Sequence, residues 1–136
     1  MGNPANTNAF IVSHYAKSIP RDNFSALTRL DHNRAHAQLA KKLGVPLEQV
    51  SGLVIWGNHS NTQVPDVTHV KVDGKPVDVL SKLGAEYVNE VYTPLIQCRG
   101  ASVIAARKLS SAMSAAKAIA DQLSSWLNGT DEYVSM

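Results

Sequence analysis

Two stretches of this chain carry the most information about its fold and chemistry, Leu30-Asp31-His32-Asn33-Arg34-Ala35 and Trp56-Gly57-Asn58-His59-Ser60. The first supplies a carboxylate and a guanidinium one turn apart on a predicted helix. The second places a histidine on a Gly-Asn turn after an apolar run. A guanidinium can bind a carboxylate through two parallel hydrogen bonds, and an imidazole can exchange a proton near neutral pH. Together these groups could bind the carboxylate of a hydroxy acid and take its hydroxyl proton, the two tasks that a protein's side chains perform in the oxidation of such an acid.

The angular position of Arg34 bears on whether it binds a ligand. At about 100° per residue, Arg34 projects between Leu27 and Leu30, on the side of the helix that should face the core. An unpaired buried charge costs several kcal/mol, so an inward arginine needs a partner or an anionic ligand. The alternative is an intrahelical salt bridge between Asp31 and Arg34 on a solvated face.

Length and composition predict a single globular domain in a reducing compartment. The chain has 136 residues, of which 44% are hydrophobic and 18% charged, enough to bury one core. Its net charge of +2 is scattered, without a basic run or an aromatic ladder, which argues against a nucleic-acid partner. Cys98 is the single cysteine, and no signal peptide or membrane-length apolar run is present. We therefore expect a cytoplasmic protein without a membrane partner.

Helical signals dominate the first third of the chain. Residues 2–8 have a loop composition, and a short helix is expected over roughly 7–17, ending before the next proline. Asp22 or Asn23 can cap the following helix, which should end at Gly44.

The middle of the chain has the patterns of short strands. Residues 50–56 form an apolar, β-branched run that predicts a buried strand. Residues 68–72 alternate polar and apolar side chains, and Asp73-Gly74 is a strong hairpin turn. Pro76 should keep the returning strand at the edge of its sheet.

The last third is helical in period but contains breakers. Between 85 and 127 the helix should be interrupted at Pro94 and Gly100, giving two or three segments. The last segment is rich in Ala and Ser, which allow close packing against another helix. Gly129 should end this segment, and residues 132–136 are typical of a strand.

Three further motifs accompany the two opening stretches: Gly2-Asn3-Pro4-Ala5-Asn6-Thr7-Asn8, Arg99-Gly100-Ala101-Ser102-Val103-Ile104 and Lys108-Leu109-Ser110-Ser111-Ala112-Met113-Ser114-Ala115-Ala116. In residue sequence and in order along the chain, all five motifs resemble the substrate-binding half of the cytosolic malate dehydrogenases, within the lactate/malate dehydrogenase superfamily. The resemblance covers nearly the whole chain. It implies an α+β fold in which long helices pack on a small antiparallel sheet.

The resemblance also implies a dinucleotide-binding half that these residues do not include. The fingerprint Gly-x-Gly-x-x-Gly of a Rossmann domain is not present in the 136 residues. We therefore expect residues 1–136 to be one truncated C-terminal catalytic domain, without the N-terminal NAD-binding domain. Its expected partners are a second copy in a homodimer, or the missing NAD-binding half.

The chemistry that the resemblance implies is hydride transfer between malate and NAD, giving oxaloacetate. His59 matches the residue that exchanges the proton of the substrate hydroxyl. Asp31 matches the carboxylate that orients this histidine and raises its basicity. Arg34 matches the arginine that forks onto the substrate carboxylate.

Other site residues follow from the same resemblance. Asn3 matches an amide that hydrogen-bonds the substrate, and the main chain of Gly2 and Asn3 matches a segment beside the nicotinamide. Ser110, or its neighbour Ser111, matches a stretch that borders the active site, and Ser102 is a weaker candidate. Composition alone favours an ordinary turn residue at Asn3, and the serines could equally serve helix packing.

The remaining histidines and the cysteine have no clear chemical context. His32 and His36 have the i, i+4 spacing that can bind zinc, but no third ligand is evident and the resembling family needs no metal. His14 and His69 are expected to face solvent, and Cys98 is not expected to be a reactive thiol. We therefore predict no metal site.

A second class of function stays open at this point. The chain could be a non-catalytic interaction module or one part of a split enzyme, with the Ala/Ser-rich helix over roughly 103–127 serving self-association or packing against the absent half. Turnover with NADH would separate the two classes.

Overall fold

The computed structural model describes residues 3–136, and these residues form helices packed on small antiparallel sheets, so the expected α+β class is confirmed. The helices are α1 Ala5–Tyr15, α2 Arg29–Leu43, α3 Val79–Leu83, α4 Ala85–Tyr87, α5 Thr93–Gln97, α6 Arg99–Arg107 and α7 Ala112–Asn128. The strands are β1 Val50–Ser51, β2 Val54–Trp56, β3 Val64–Asp66, β4 Lys71–Val72 and β5 Lys75–Pro76. No helix in this described part is long and apolar enough to cross a membrane.

Helix α2 lies at the centre of the core. Ala35 and Leu39 on its inner face are fully buried. The Tyr92 hydroxyl donates a hydrogen bond of 2.9 Å to the Ala35 carbonyl, which satisfies the polar end of this buried ring. The helix ends where expected, because Gly44 adopts a left-handed conformation with φ of 71° and its N–H caps the last turn.

The expected start of α2 at Asp22 or Asn23 is wrong. A short 3₁₀ turn occupies Arg21–Asn23, and the chain then runs extended until the helix begins at Arg29. This extended segment places Ala26 against α1, where the two helical alanines Ala5 and Ala9 are buried with it. Packing against α1 therefore overrides the local helical period. Leu27 lies outside the helix, so it cannot define the face on which Arg34 projects.

The predicted strand over 50–56 is two strands in two sheets. Strand β1 pairs with β4, whereas β2 pairs with β3. The break falls at Gly52, whose φ is 76°, and a Cβ there would lie 2.2 Å from the His69 carbonyl oxygen. Glycine permits both the conformation and the close approach, and the strand changes sheets at this residue.

The predicted hairpin is confirmed. Strands β4 and β5 pair antiparallel across Asp73 and Gly74, which both have positive φ, as a type I′ turn requires. Strand β5 contains Pro76 and forms the edge of the sheet, whose order is β1-β4-β5.

The expected helix breaks at Pro94 and Gly100 are wrong in position. The chain passes from α4 into α5 through a π-helical turn, Val88–Tyr92, so Pro94 enters at the start of α5. Gly100 lies inside α6, and the larger break follows at Lys108, which has φ of 58°. Beyond it, α7 packs against α2 and ends before Gly129, as the small residues and the glycine predicted.

The two chain ends differ from expectation by different amounts. Helix α1 begins two residues earlier than predicted. Residues 132–136 do not form the predicted strand. They lie beside β2 instead, where the Ile55 N–H donates to the Ser135 hydroxyl at 2.7 Å. A side chain takes the place of the main-chain partner that a strand would need.

Candidate functional site

The centre of the site is a contact between α2 and the loop that follows β2. Asp31, in the first turn of α2, is 1% exposed. The Nδ1 atom of His59 meets the Oδ2 atom of this carboxylate. Because a carboxylate can only accept, Nδ1 carries the proton and Nε2 is left with its lone pair. The contact therefore fixes one tautomer of the imidazole.

The position of His59 suits proton exchange with a ligand. Its side chain is 22% exposed, so the ring is reachable from outside. Within residues 3–136, no hydrogen bond involves Nε2. The pKa of His59 is raised, chiefly by the hydrogen bond with Asp31, against the opposing effects of burial and of Arg34. A base with these properties can take a proton and then hold it.

Arg34 lies beside the same carboxylate. Its Nη1 atom is 3.7 Å from Oδ1 of Asp31, and its Nη2 atom donates to the Ser111 hydroxyl at 3.0 Å. The Arg34 side chain is 13% exposed, so the pair does not lie on a solvated face. The salt-bridge alternative therefore names the correct partners, but it places them on a solvated face, where they do not lie. A largely buried pair interacts more strongly than an exposed one.

The electrostatic setting of Arg34 favours an anion. Burial lowers the pKa of Arg34, the charge of Asp31 opposes this, and Arg99 lowers it further. The guanidinium has five N–H donors, and its contacts with Asp31 and Ser111 leave some of them for a ligand. A Cβ at Gly100 would lie 3.7 Å from Nη1, so the start of α6 runs close to this group. An anionic ligand would relieve the repulsion between the two arginines.

The serines differ in their relation to Arg34. The Ser111 hydroxyl accepts a hydrogen bond from the guanidinium, whereas Ser110 is exposed. Ser102 is also exposed and donates to the carbonyl of Cys98, the residue just before its helix α6. The left-handed turn at Lys108 brings the chain back so that Ser111 precedes α7 near Arg34.

The amino-terminal stretch reaches the site through a residue that sequence reasoning missed. Gly2 lies outside the described residues, and Asn3 is exposed just before α1. The Oδ1 atom of Asn6, in the first turn of α1, accepts a hydrogen bond of 2.9 Å from the main-chain N–H of His59. Asn6 and Arg99 belong to two of the five motifs, but nothing in the motifs indicates these contacts.

His32 and His36 form a buried pair instead of an open ligand set. Their rings stack with centroids 4.2 Å apart. The Nε2–H of His36 donates to the Leu53 carbonyl, and the Nδ1 atom of His32 accepts from the Ser135 N–H. Both rings are therefore occupied as neutral imidazoles. Among residues 3–136, no group of three or more His, Cys, Asp or Glu side chains could hold a metal ion.

Burial of this pair predicts an acid-sensitive fold. Burial lowers the pKa of His32 to about 3, with smaller contributions from His36 and Arg29 against an opposing one from Asp121. As pH falls, His32 takes up a proton near pH 6.5 in the unfolded chain but only near pH 3 in the folded one. The free energy of unfolding therefore decreases as pH falls from about 6.5 towards 3. His32→Gln should reduce the slope of the unfolding free energy by about 1.4 kcal/mol per pH unit in that window.

Urea unfolding at a series of pH values measures this slope. His14→Gln, at an exposed position, is the matched control and should keep the slope of the original chain. An unchanged slope in His32→Gln would show that His32 does not couple folding to protonation.

The two histidines that were expected to face solvent lie where predicted. His14 and His69 are exposed. Cys98 is exposed and unpaired by a disulfide.

Comparison with known proteins identifies relatives of the whole arrangement. Residues 28–136 match the family model described as lactate/malate dehydrogenase, alpha/beta C-terminal domain. The chain is similar to the cytoplasmic malate dehydrogenase of Taenia solium, with 57% identity over an alignment of 141 positions that covers all of this chain and 42% of that protein. The chain therefore spans about two fifths of the length of such relatives.

Solved structures share the fold. A malate dehydrogenase from Naegleria fowleri superimposes with a TM-score of 0.84 at 42% identity, over 92% of this chain and 38% of that one. A Trichomonas vaginalis lactate dehydrogenase in complex with NADH and oxamate gives a TM-score of 0.87 at 37% identity, over 93% of this chain and 39% of that one.

Proposed function

Because the chain belongs to the lactate/malate dehydrogenase family, we propose that it carries the proton-exchanging and carboxylate-binding residues of an NAD-dependent oxidoreductase that interconverts malate and oxaloacetate. The observation that carries the proposal is the buried Asp31 holding Nδ1 of His59, with Arg34 on the other carboxylate oxygen. An acid–base group and an anion clamp therefore share one orienting carboxylate.

His59 exchanges the substrate proton. In malate oxidation, Nε2 accepts the proton of the hydroxyl group; in oxaloacetate reduction, the imidazolium returns it to the carbonyl oxygen. Asp31 stays ionised, keeps the proton of the resting imidazole on Nδ1, and stabilises the imidazolium. The raised pKa of His59 favours this charged form.

Arg34 orients the substrate. Its free N–H donors bind a substrate carboxylate in a planar fork, which holds the hydroxyl-bearing carbon near His59. Ser111 steadies the guanidinium by accepting from Nη2. Asn3 donates an amide hydrogen bond to the substrate, and Ser110 is a further candidate for contact with it.

NAD fits the polar groups of this chain at its nicotinamide end only. A hydride acceptor would stand beside the open Nε2 of His59, and Asn3 is exposed to contact it. The same role is proposed for the main chain of Asn3 and of Gly2, a residue that lies outside the described part of the chain. When bound, NAD accepts the hydride from the hydroxyl-bearing carbon. No glycine-rich pyrophosphate loop is present in the 136 residues. The relative from Trichomonas vaginalis binds NADH and oxamate, which supports the cofactor.

The proposed cellular setting follows from the names of the same relatives. We assign the chain to the cytoplasm, because those relatives are named cytoplasmic malate dehydrogenases.

Large apolar side chains are exposed on and around α7, namely Leu109, Met113, Ile119, Leu123 and Leu127. This surface favours contact with a second copy or with a dinucleotide-binding portion. A purely non-catalytic interaction module is the competing proposal.

The deciding experiment fuses the chain to the dinucleotide-binding portion of a cytoplasmic malate dehydrogenase. The fusion protein is the joined enzyme. Oxidation of NADH with oxaloacetate is followed for the chain alone and for the joined enzyme, and native mass spectrometry gives the oligomeric state of each. Turnover by the joined enzyme supports the proposal. A folded joined enzyme that binds NADH but has no turnover would leave the interaction module as the function.

The 136-residue chain alone should bind NADH only weakly, with a dissociation constant in the millimolar range, equivalent to about 4 kcal/mol of binding free energy. Only the nicotinamide end has partners here, so most of the contacts that a dinucleotide makes are missing. Calorimetric titration of the chain with NADH measures this. A micromolar constant would mean that a complete cofactor site lies within these residues.

A further inference from the structure

The loop that carries His59 has few fixed points. Residues 57–63 form no helix or strand between β2 and β3. The main-chain hydrogen bonds from the Ser60 N–H to Asn58 and from the Gln63 N–H to Ser60 are local. The Gln97 side chain donates to the Gln63 carbonyl at 2.8 Å, which ties the far end of the loop to α5. None of these three bonds involves the main chain of His59, so its position needs a fixed point of its own.

Asn6 supplies that fixed point. Its Oδ1 atom accepts from the His59 N–H at 2.9 Å, across 53 positions of sequence. Helix α1 itself is held in place, because Ala5 and Ala9 are buried against Ala26. Ala26 lies shortly before α2, the helix that carries Asp31. The contacts thus run in a closed path from Asp31 through α1 to His59.

We propose that Asn6 is a positioning residue that fixes the main chain of His59 and so keeps its ring against Asp31. The inference rests on the proposed function, in which His59 exchanges the substrate proton. Two independent hydrogen bonds fix His59, one between its ring and Asp31 and one between its main-chain N–H and Asn6. If only the hydrogen bond with Asp31 remains, the imidazole can tilt, and a displacement of about 1 Å can lower the rate about 10²-fold.

A merely structural role for Asn6 predicts different results. In that case the side chain would only help α1 to begin, since Pro4 at the helix start gives no side-chain cap. Its loss would lower thermal stability without changing the environment of the His59 ring. The two roles therefore separate in measurements that follow His59 directly.

The first measurement uses NMR on the 136-residue chain. In Asn6→Ala, exchange of the His59 amide hydrogen should be at least about 10-fold faster. The titration midpoint of the His59 ring should fall, because the Asp31 hydrogen bond is the largest cause of its raised pKa. The charged groups acting on this ring in the described structure are Asp31 and Arg34, both on α2, and neither is altered.

Matched variants complete the test. Asn6→Asp keeps an oxygen acceptor and should restore the slow amide exchange. Ser13→Ala removes an exposed hydrogen bond on the same helix and should change neither measurement. Asn6→Ser keeps a polar residue at the helix start but is too short to reach the amide, so it replaces Asn6→Ala if that variant does not fold. Unchanged exchange and midpoint in a folded variant would overturn the proposal.

The second measurement uses the joined enzyme. Asn6→Ala should lower kcat for oxaloacetate reduction by about 10- to 100-fold with KM within about 3-fold, because positioning of the base matters to chemistry more than to binding. If Asn6→Ala alters the His59 resonances while His59→Asn keeps full turnover, the proposed function fails and the Asn6 contact stands. If His59→Asn abolishes turnover and Asn6→Ala changes neither kcat nor the His59 resonances, the proposed function stands and the positioning role of Asn6 fails.

Discussion

In the joined enzyme, His59→Asn should lose about 10²–10⁴-fold in kcat, the usual contribution of general acid–base transfer. Asparagine can still reach Asp31 with its amide N–H, so the loop and the buried carboxylate keep a partner. It cannot accept and hold a proton. Affinity for NADH should therefore be nearly unchanged, and stopped-flow measurement of binding and turnover tests both statements.

The control for this variant is His69→Asn, an exposed histidine at the other sheet, which should keep the original kcat. If His59→Asn retained more than about a tenth of kcat, another group would have to carry the proton. His32 and His36 would be tested next, although both are buried and hydrogen-bonded within the core.

The pH profile adds a check with a fixed sign. Oxaloacetate reduction needs the protonated ring, so its kcat/KM should fall as pH rises through the pKa of His59, whereas malate oxidation should increase. Because the hydrogen bond with Asp31 raises this pKa, the change should lie above the ordinary value for histidine. Both limbs should disappear in His59→Asn.

Local chemistry made some elements predictable. The end of α2 at Gly44 and the hairpin at Asp73-Gly74 depend on positive φ, which glycine adopts at little cost. Pro76 cannot donate to a neighbouring strand, and it lies on the edge strand as expected. Each of these features is decided by residues within a few positions of the feature itself.

Tertiary contacts decided the elements that were predicted wrongly. The sheet change at Gly52 depends on the approach of the His69 carbonyl, which no local pattern contains. The late start of α2 depends on Ala26 packing against α1. Lys108 adopts a left-handed conformation although its residue type gives no hint of it. At Gly52 and at the start of α2, a partner distant in sequence overrides local preference.

The site divides in the same way. Asp31, Arg34 and His59 could be named because each belongs to a motif with chemical meaning, and the fold brings them together; their roles stay predictions. The contact between Asn6 and the His59 amide could not be found, because any nearby oxygen can accept from a main-chain N–H. A side chain that acts on main chain leaves no pattern in the partner's sequence.

Arg34→Lys should lower kcat/KM for oxaloacetate by about 30- to 1000-fold, equivalent to roughly 2–4 kcal/mol of transition-state stabilisation. Lysine keeps the positive charge near Asp31 but loses the planar fork. One ammonium cannot hold Ser111 and also bind both oxygens of a carboxylate, whereas the guanidinium has separate donors for each. The loss is therefore one of geometry at constant charge.

Steady-state kinetics and the thermal midpoint, measured on the same preparation, distinguish this clamp from a salt bridge. A bridge with Asp31 alone is worth about 0–1 kcal/mol of stability when exposed and nothing to turnover. Arg107→Lys, an exposed arginine on α6, is the matched control and should change neither quantity. If Arg34→Lys lowered the midpoint slightly while kcat/KM stayed the same, Arg34 would be a structural partner of Asp31, and substrate anchoring would have to come from another cation such as Arg99, the arginine whose charge already acts on Arg34.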